Sequence, residues 1–119
     1  MGWFSVGINE EWISLNNKEQ LNMLIRESET NPVIIYKHST RCGLSSMAKN
    51  ILDKGWGKLK LHTRLYFLDI LRYRELSTMI AERFQVVHQS PQILIIKNGQ
   101  SVFDTSHYSI NLEIIFENL

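Results

Sequence analysis

Apolar residues in this chain alternate between short continuous runs and sets spaced by three and four, a pattern that predicts buried strands alternating with amphipathic helices. A short strand is expected around Trp12 to Leu15. Asn17 can cap the next segment with Gln20 as its capping-box partner, and Leu21, Leu24, Ile25 and Ser28 follow at helical spacing until Asn31-Pro32 ends the helix. Val33-Ile34-Ile35-Tyr36-Lys37 is a β-branched apolar run, which predicts a central strand buried on both faces. Leu44, Met47, Ala48, Ile51 and Leu52 mark a second helix, expected to stop near Gly55. A strand over Leu65 to Ile70 and a helix carrying Leu76, Met79, Ile80 and Phe84 come next. Gln92 to Lys97 is another apolar strand, and Asn98-Gly99 after it is a strong hairpin signal because both residues tolerate positive φ. Ser101 to Thr105 returns as its partner, and Ser109 can cap a last helix with Ile110, Ile114 and Ile115.

The predicted order is β-α-β-α-β-α-β-β-α, an α/β chain. Alternation in the first part forces parallel strands with right-handed crossovers, and the Asn98-Gly99 turn makes the last two strands antiparallel. A central mixed sheet flanked by helices in this order is the thioredoxin-like fold. A flavodoxin-like sheet would need a further βα unit where the hairpin stands.

At 119 residues and 14.0 kDa, with 44% hydrophobic and 21% charged side chains, one globular domain over residues 1–119 is expected. Such a chain buries roughly two-thirds of its unfolded surface, so it needs no disulfide or metal to fold. The single cysteine, Cys42, excludes an internal disulfide, a Cys-x-x-Cys redox pair and multi-cysteine zinc sites.

The net charge of +1 conceals an uneven partition: residues 1–31 and 98–119 each sum to −3, whereas residues 32–97 carry eleven Lys and Arg against four acids, a net of +7. Cys42 lies in this basic block, where positive potential favours a thiolate and attracts anionic thiols. A run of this kind is also what a solvated face looks like.

The opening Met1-Gly2-Trp3-Phe4-Ser5-Val6 has no basic region or long apolar stretch of a secretory leader, and Val6 breaks a myristoylation pattern. No run approaches the roughly 20 apolar residues of a membrane helix. A cytoplasmic protein in a reducing compartment is expected.

Cys42 directly follows a strand and begins a helix, where unpaired N–H groups and the helix dipole stabilise a thiolate, with Arg41 adding a nearby charge. Ser45 stands three residues on, where a dithiol enzyme keeps its resolving cysteine. A hydroxyl can hydrogen-bond the thiolate but cannot form a disulfide, so any mixed disulfide on Cys42 must await an external thiol. Ser90-Pro91 precedes the strand Gln92 to Lys97. In a thioredoxin-like topology a cis bond there would turn the Ser90 backbone toward Cys42 as an edge for an incoming partner. Of the four histidines, His38, His62, His88 and His107, no two form a His-x-x-x-His pair, and no metal site is expected. His88 and His107 flank the proline and the hairpin, and either approach the thiol in space or serve as surface residues.

These residues resemble the YtxJ-like monothiol bacilliredoxins, small thioredoxin-fold proteins of bacterial redox homeostasis. The likeness rests on Lys37-His38-Ser39-Thr40-Arg41-Cys42-Gly43-Leu44-Ser45, His88-Gln89-Ser90-Pro91-Gln92 and Thr105-Ser106-His107-Tyr108-Ser109-Ile110. It departs from the family's usual Cys-Pro-Ile-Ser at Gly43 and Leu44. The resemblance implies a monothiol oxidoreductase that removes bacillithiol from mixed disulfides on proteins. Cys42 would be the nucleophile, with Ser45 and Arg41 as its catalytic partners. Thr40, Gly43, Ser90, Pro91 and His107 would bind the substrate. It also implies no tightly bound cofactor, bacillithiol as cosubstrate, S-thiolated proteins as partners, no nucleic-acid or membrane partner, and a monomer. Bacillithiol carries malate carboxylates, which would suit the basic block, although glutathione or coenzyme A would suit it too.

Cys42-Gly43-Leu44-Ser45 also differs at one position from the Cys-Gly-Phe-Ser of monothiol glutaredoxins that carry a [2Fe–2S] cluster. Against that reading, the glutaredoxin Thr-Val-Pro is Gln89-Ser90-Pro91 here and no Cys-Asp pair follows the hairpin. A redox-inactive binding module of the same fold is the third alternative.

Overall fold

Every residue of Val33–His38 is buried, as expected of a strand with neighbours on both edges and helices on both faces. This strand, β2, is the axis of a five-stranded mixed sheet in the computed structural model, which describes residues 9–119. The Met1 to Val6 segment, on which the leader expectation rests, lies outside the described residues. The other elements in chain order are β1 (Ile13–Ser14), α1 (Lys18–Glu27), α2 (Gly43–Leu59), β3 (Arg64–Asp69), α3 (Arg74–Phe84), β4 (Gln92–Lys97), β5 (Gln100–Ser106) and α4 (Leu112–Glu117). The strand order is β1-β3-β2-β4-β5, with β1, β3 and β2 parallel and β4 and β5 antiparallel to their neighbours. The predicted order of elements and the thioredoxin-like topology are thus observed.

Alternation along β2 divides the core. Ile34 and Tyr36 face α2 and α4 together with Trp12, Leu52, Trp56, Phe67 and Ile115. Val33 and Ile35 face α1 and α3 together with Leu21, Leu24, Leu76, Ile80 and Phe84. At the hairpin, Asn98 and Gly99 have φ of 51° and 75°, the left-handed pair that a tight two-residue turn requires. Ser28 anchors that turn from the end of α1: its carbonyl accepts from Asn98 N–H and its hydroxyl from Gly99 N–H, both at 2.9 Å.

Several boundaries differ from expectation. The first strand is only Ile13–Ser14, although the flanking Trp12 and Leu15 are buried and Leu15 N–H still bonds Phe67 O. Helix α2 runs through Gly55 to Leu59, because Gly55 is there for packing: a Cβ at this position would overlap the Leu112 side chain of α4. The last helix is capped by Asn111, whose side chain accepts from Ile114 N–H, while Ser109 belongs to a 3₁₀ turn over His107–Ser109.

The charge blocks also mix in space. Among the described residues Lys60 pairs with Glu11 and Arg64 with Glu27, so acids of the N-terminal segment fold back onto the basic block. No helix among the described residues is long and apolar enough to cross a membrane.

Candidate active site

The last residue of β2 is His38, and Ser39, Thr40 and Arg41 turn the chain so that Cys42 becomes the N-cap residue of α2. The turn is closed by Cys42 N–H donating to Ser39 O at 3.1 Å. Cys42 makes no side-chain cap bond, and the Ser45 N–H donates to the Cys42 carbonyl at 3.1 Å, so the sulfur sits beside the first-turn N–H groups without capping them. They hold the thiol below its ordinary range: the Ser45 N–H contributes most, partial desolvation opposes it, and the Leu44 N–H and the Ser45 hydroxyl add to the lowering.

Beneath the thiol is a buried polar chain. Ser45 is fully buried, and its Oγ accepts from Ser39 N–H at 3.1 Å, which ties the helix start to the turn. Its carbonyl accepts from the Tyr36 hydroxyl at 2.8 Å, and Tyr36 Oη lies 2.7 Å from His38 Nδ1. Because the Tyr36 proton is committed to Ser45, this network assigns a proton to His38 Nδ1, which donates to the phenol oxygen. Burial pushes the Tyr36 phenol up, reinforced by the Cys42 charge, so Tyr36 remains a donor. Burial lowers His38 and keeps it neutral, and its ring packs 5.1 Å from that of Phe67.

The second wall comes from β4 and β5. Register pairs Gln92 with both Lys37 and Ser106, which brings the start of β4 and the end of β5 beside the end of β2. The Ser90–Pro91 peptide is cis. Pro91 O accepts from His107 N–H at 3.1 Å, so Pro91 and His107 are joined through their backbones. His107 has a left-handed φ of 54° and starts the 3₁₀ turn, which packs against α2.

Cys42, Ser45, Pro91 and His107 therefore come to one end of the sheet, with Thr40 and Gly43 exposed beside the thiol. Arg41 is exposed beside the thiol, and the lowering of Cys42 comes from the Ser45 and Leu44 N–H groups and the Ser45 hydroxyl. Its backbone N–H donates to Ser39 Oγ at 3.3 Å. Ser45 is a buried link in the polar chain and not a surface serine. Tyr36 and His38 escape sequence reasoning, since a tyrosine in an apolar run reads as core and only strand register places its hydroxyl under the thiol.

Two measurements follow. Alkylation of Cys42 by iodoacetamide should stay fast as the pH falls below the range where a free thiol slows, because the lowered pKa preserves thiolate there. A Ser45→Ala protein should show this profile moved upward toward an ordinary thiol. A profile unmoved in Ser45→Ala would remove the hydroxyl from the account.

The departure at Gly43 is also testable. Cys42 has φ −113° and ψ 121°, the extended region that a following proline requires, and a Cβ at Gly43 would meet nothing within 4 Å. Position 43 begins the helix, where proline is tolerated, and its N–H is not among the groups acting on the thiol. Gly43→Pro should raise unfolding free energy by about 0.4–1 kcal/mol in urea titration, through the unfolded chain, and leave the alkylation profile in place.

The family model described as monothiol bacilliredoxin BrxC matches residues 13–115. A structure assigned as an oxidoreductase with a thioredoxin fold is similar at 29% identity and a TM-score of 0.81, over 91% of this chain and 93% of that one. Thioredoxin from Trypanosoma brucei brucei is similar at 14% identity and TM-score 0.66, over 81% of this chain and 78% of its own. A point-mutant thioredoxin from Halobacterium salinarum is similar at 13% identity and TM-score 0.67, over 90% of this chain and 85% of its own. The last two show the fold alone. With the family match spanning strand β1 to helix α4 and the lone thiol at the head of α2, this chain belongs to the monothiol bacilliredoxin BrxC family.

Proposed function

We propose that the protein is a monothiol thiol-disulfide oxidoreductase that removes bacillithiol, or a similar low-molecular-weight thiol, from mixed disulfides on proteins. The observation that carries this reading is the placement of the single thiol against the first-turn N–H groups of α2, with a hydroxyl one turn on where a resolving thiol would stand.

The Cys42 thiolate attacks the bacillithiol sulfur of the mixed disulfide. A Cys42–bacillithiol disulfide forms, the original bond breaks, and the target leaves as a thiolate that takes a proton from water. Ser45 has no sulfur to resolve this intermediate. A second bacillithiol thiolate therefore attacks the bacillithiol sulfur held on Cys42, releasing bacillithiol disulfide and restoring the Cys42 thiolate. The Tyr36, His38 and Ser45 chain keeps the helix start in place throughout and transfers no proton.

The test is to present one carrier protein thiolated in parallel with bacillithiol, glutathione and coenzyme A, and to measure release of each small thiol. Fastest release from the bacillithiol adduct supports the proposal. Release from none of them, together with visible absorption bands and dimerisation after anaerobic iron-sulfur reconstitution, would favour the cluster-carrier reading. Release from none and no bands would favour the binding module.

A further inference from the structure

Strands β2 and β3 are adjacent and parallel, yet the helices that follow them pack on opposite faces of the sheet, α2 on the Tyr36 face and α3 on the Ile35 face. Diverging connections of this kind open a crevice beyond the carboxyl ends of the strands, where open α/β sheets hold ligands. On the α3 side that crevice is a cavity of about 450 Å³ walled by Ile70, Leu71, Arg74, Ser77, Glu82 and His88.

Under its wall lies Lys37, fully buried on β2 and making no ion pair among the described residues. Asp104 acts on it only through space. Buried charges are ordinarily paired, because the loss of hydration is otherwise uncompensated. Lys37 Nζ instead lies 3.2 Å from His88 Nδ1, and Ser77 Oγ lies 3.2 Å from the same nitrogen. An ammonium only donates, so Nδ1 is the acceptor and the ring proton sits on Nε2, on the side of the ring away from Lys37. Burial lowers Lys37 to about 8, which leaves it charged at neutral pH, and burial together with that charge keeps His88 neutral. Glu82, the acid of the wall, stands eight residues along α3 from Arg74 and makes no ion pair with it among the described residues.

We propose that this cavity binds a carboxylate of the low-molecular-weight thiol exchanged at Cys42, held by the Arg74 guanidinium and the His88 Nε2–H over the buried charge of Lys37. The inference rests on the exchange reaction proposed above and gives the carboxylate of its cosubstrate a place in the fold. A planar guanidinium with a single N–H beside it matches a carboxylate, and Ile70 and Leu71 suit the carbon chain behind it. The cavity reaches the Cys42 end of the sheet: Ile70 and Leu71 of its wall follow Asp69, which pairs with His38, four residues before the thiol.

Binding can be measured without exchange chemistry in a Cys42→Ser protein, titrated with S-methyl bacillithiol and with its dimethyl ester while the His88 ring and Arg74 side-chain resonances are followed. The acid should bind roughly tenfold or more tightly than the ester and should move both sets of resonances, as loss of a charge-assisted hydrogen bond implies. S-methyl glutathione in parallel separates one carboxylated thiol from another. Arg74→Gln, an exposed change, and Lys37→Met should each weaken acid binding several-fold and leave the ester unaffected. Lys37→Met should also melt higher than its parent, which separates lost binding from lost folding. Equal binding of acid and ester, or shifts that avoid Arg74 and His88, would overturn the inference. Wild-type exchange with an uncharged hydroxyethyl disulfide separates the two proposals. If it proceeds while the acid shows no preference, only the cavity assignment falls; if it fails, the exchange reaction falls and the titration still decides the cavity.

Discussion

Replacing Cys42 with serine should reduce release of bacillithiol from a thiolated protein to the uncatalysed rate while leaving the fold at least as stable as the parent. The activity follows from the chemistry, since the attacking species is a thiolate and an alcohol is not ionised at neutral pH. The stability follows from the position. Cys42 is partly exposed at the head of α2, outside both apolar clusters, so its sulfur contributes little packing. Serine is a better N-cap, because its Oγ can accept from a first-turn N–H where the sulfur makes no cap bond. Urea titration should therefore show no loss beyond about 0.5 kcal/mol. A large loss would mean that the thiol is a structural member of the core, and the absence of exchange in this variant would then carry no weight.

Trp12→Ala should destabilise the protein by about 3–5 kcal/mol, the range for truncating a large buried aromatic. Trp12 is 5% exposed and sits at the centre of the aromatic group between β1 and α2. It stacks on Phe67 at 6.2 Å with planes 18° apart, and meets Tyr36 and Trp56 edge-on at 6.3 and 6.2 Å. Its indole N–H is buried with no partner among the described residues. That group costs about 1–3 kcal/mol to bury unpaired, so Trp12→Phe should recover part of what the smaller ring loses and fall well short of the alanine variant. Chemical denaturation of the pair checks both values. Equal losses in the two variants would show that the indole N–H is satisfied in solution.

The order of elements was legible because β2 and β4 announce themselves as continuous apolar runs and Asn98-Gly99 marks the turn between β4 and β5. Element ends were legible only where the deciding group is local, as at Asn17, whose side chain accepts from Gln20 N–H. Gly55 reads as a helix stop until its partner is known, and that partner, Leu112, is far along the chain. Ser109 and Asn111 are equally able caps on paper, and the 3₁₀ turn consumes the first. At the site, the spacing of Cys42 and Ser45 carried the essential chemistry because both lie in one helical turn. Tyr36, His38 and Lys37 were not legible as site residues, since their opposite orientations follow from strand alternation and their partners Ser45 and His88 come from other elements. The groups that lower the thiol are also hidden from side-chain reading, since two of them are backbone N–H groups of the next turn.

The central claim, that Cys42 takes the small thiol onto itself, is tested most directly by stopping a single turnover before a second thiol is added. With protein in excess over a bacillithiolated target, intact mass and peptide mapping should find one bacillithiol on Cys42 for each target thiol released, and added bacillithiol should then discharge it. A target that stays thiolated, or one that becomes covalently joined to Cys42 while free bacillithiol is released, would contradict the account.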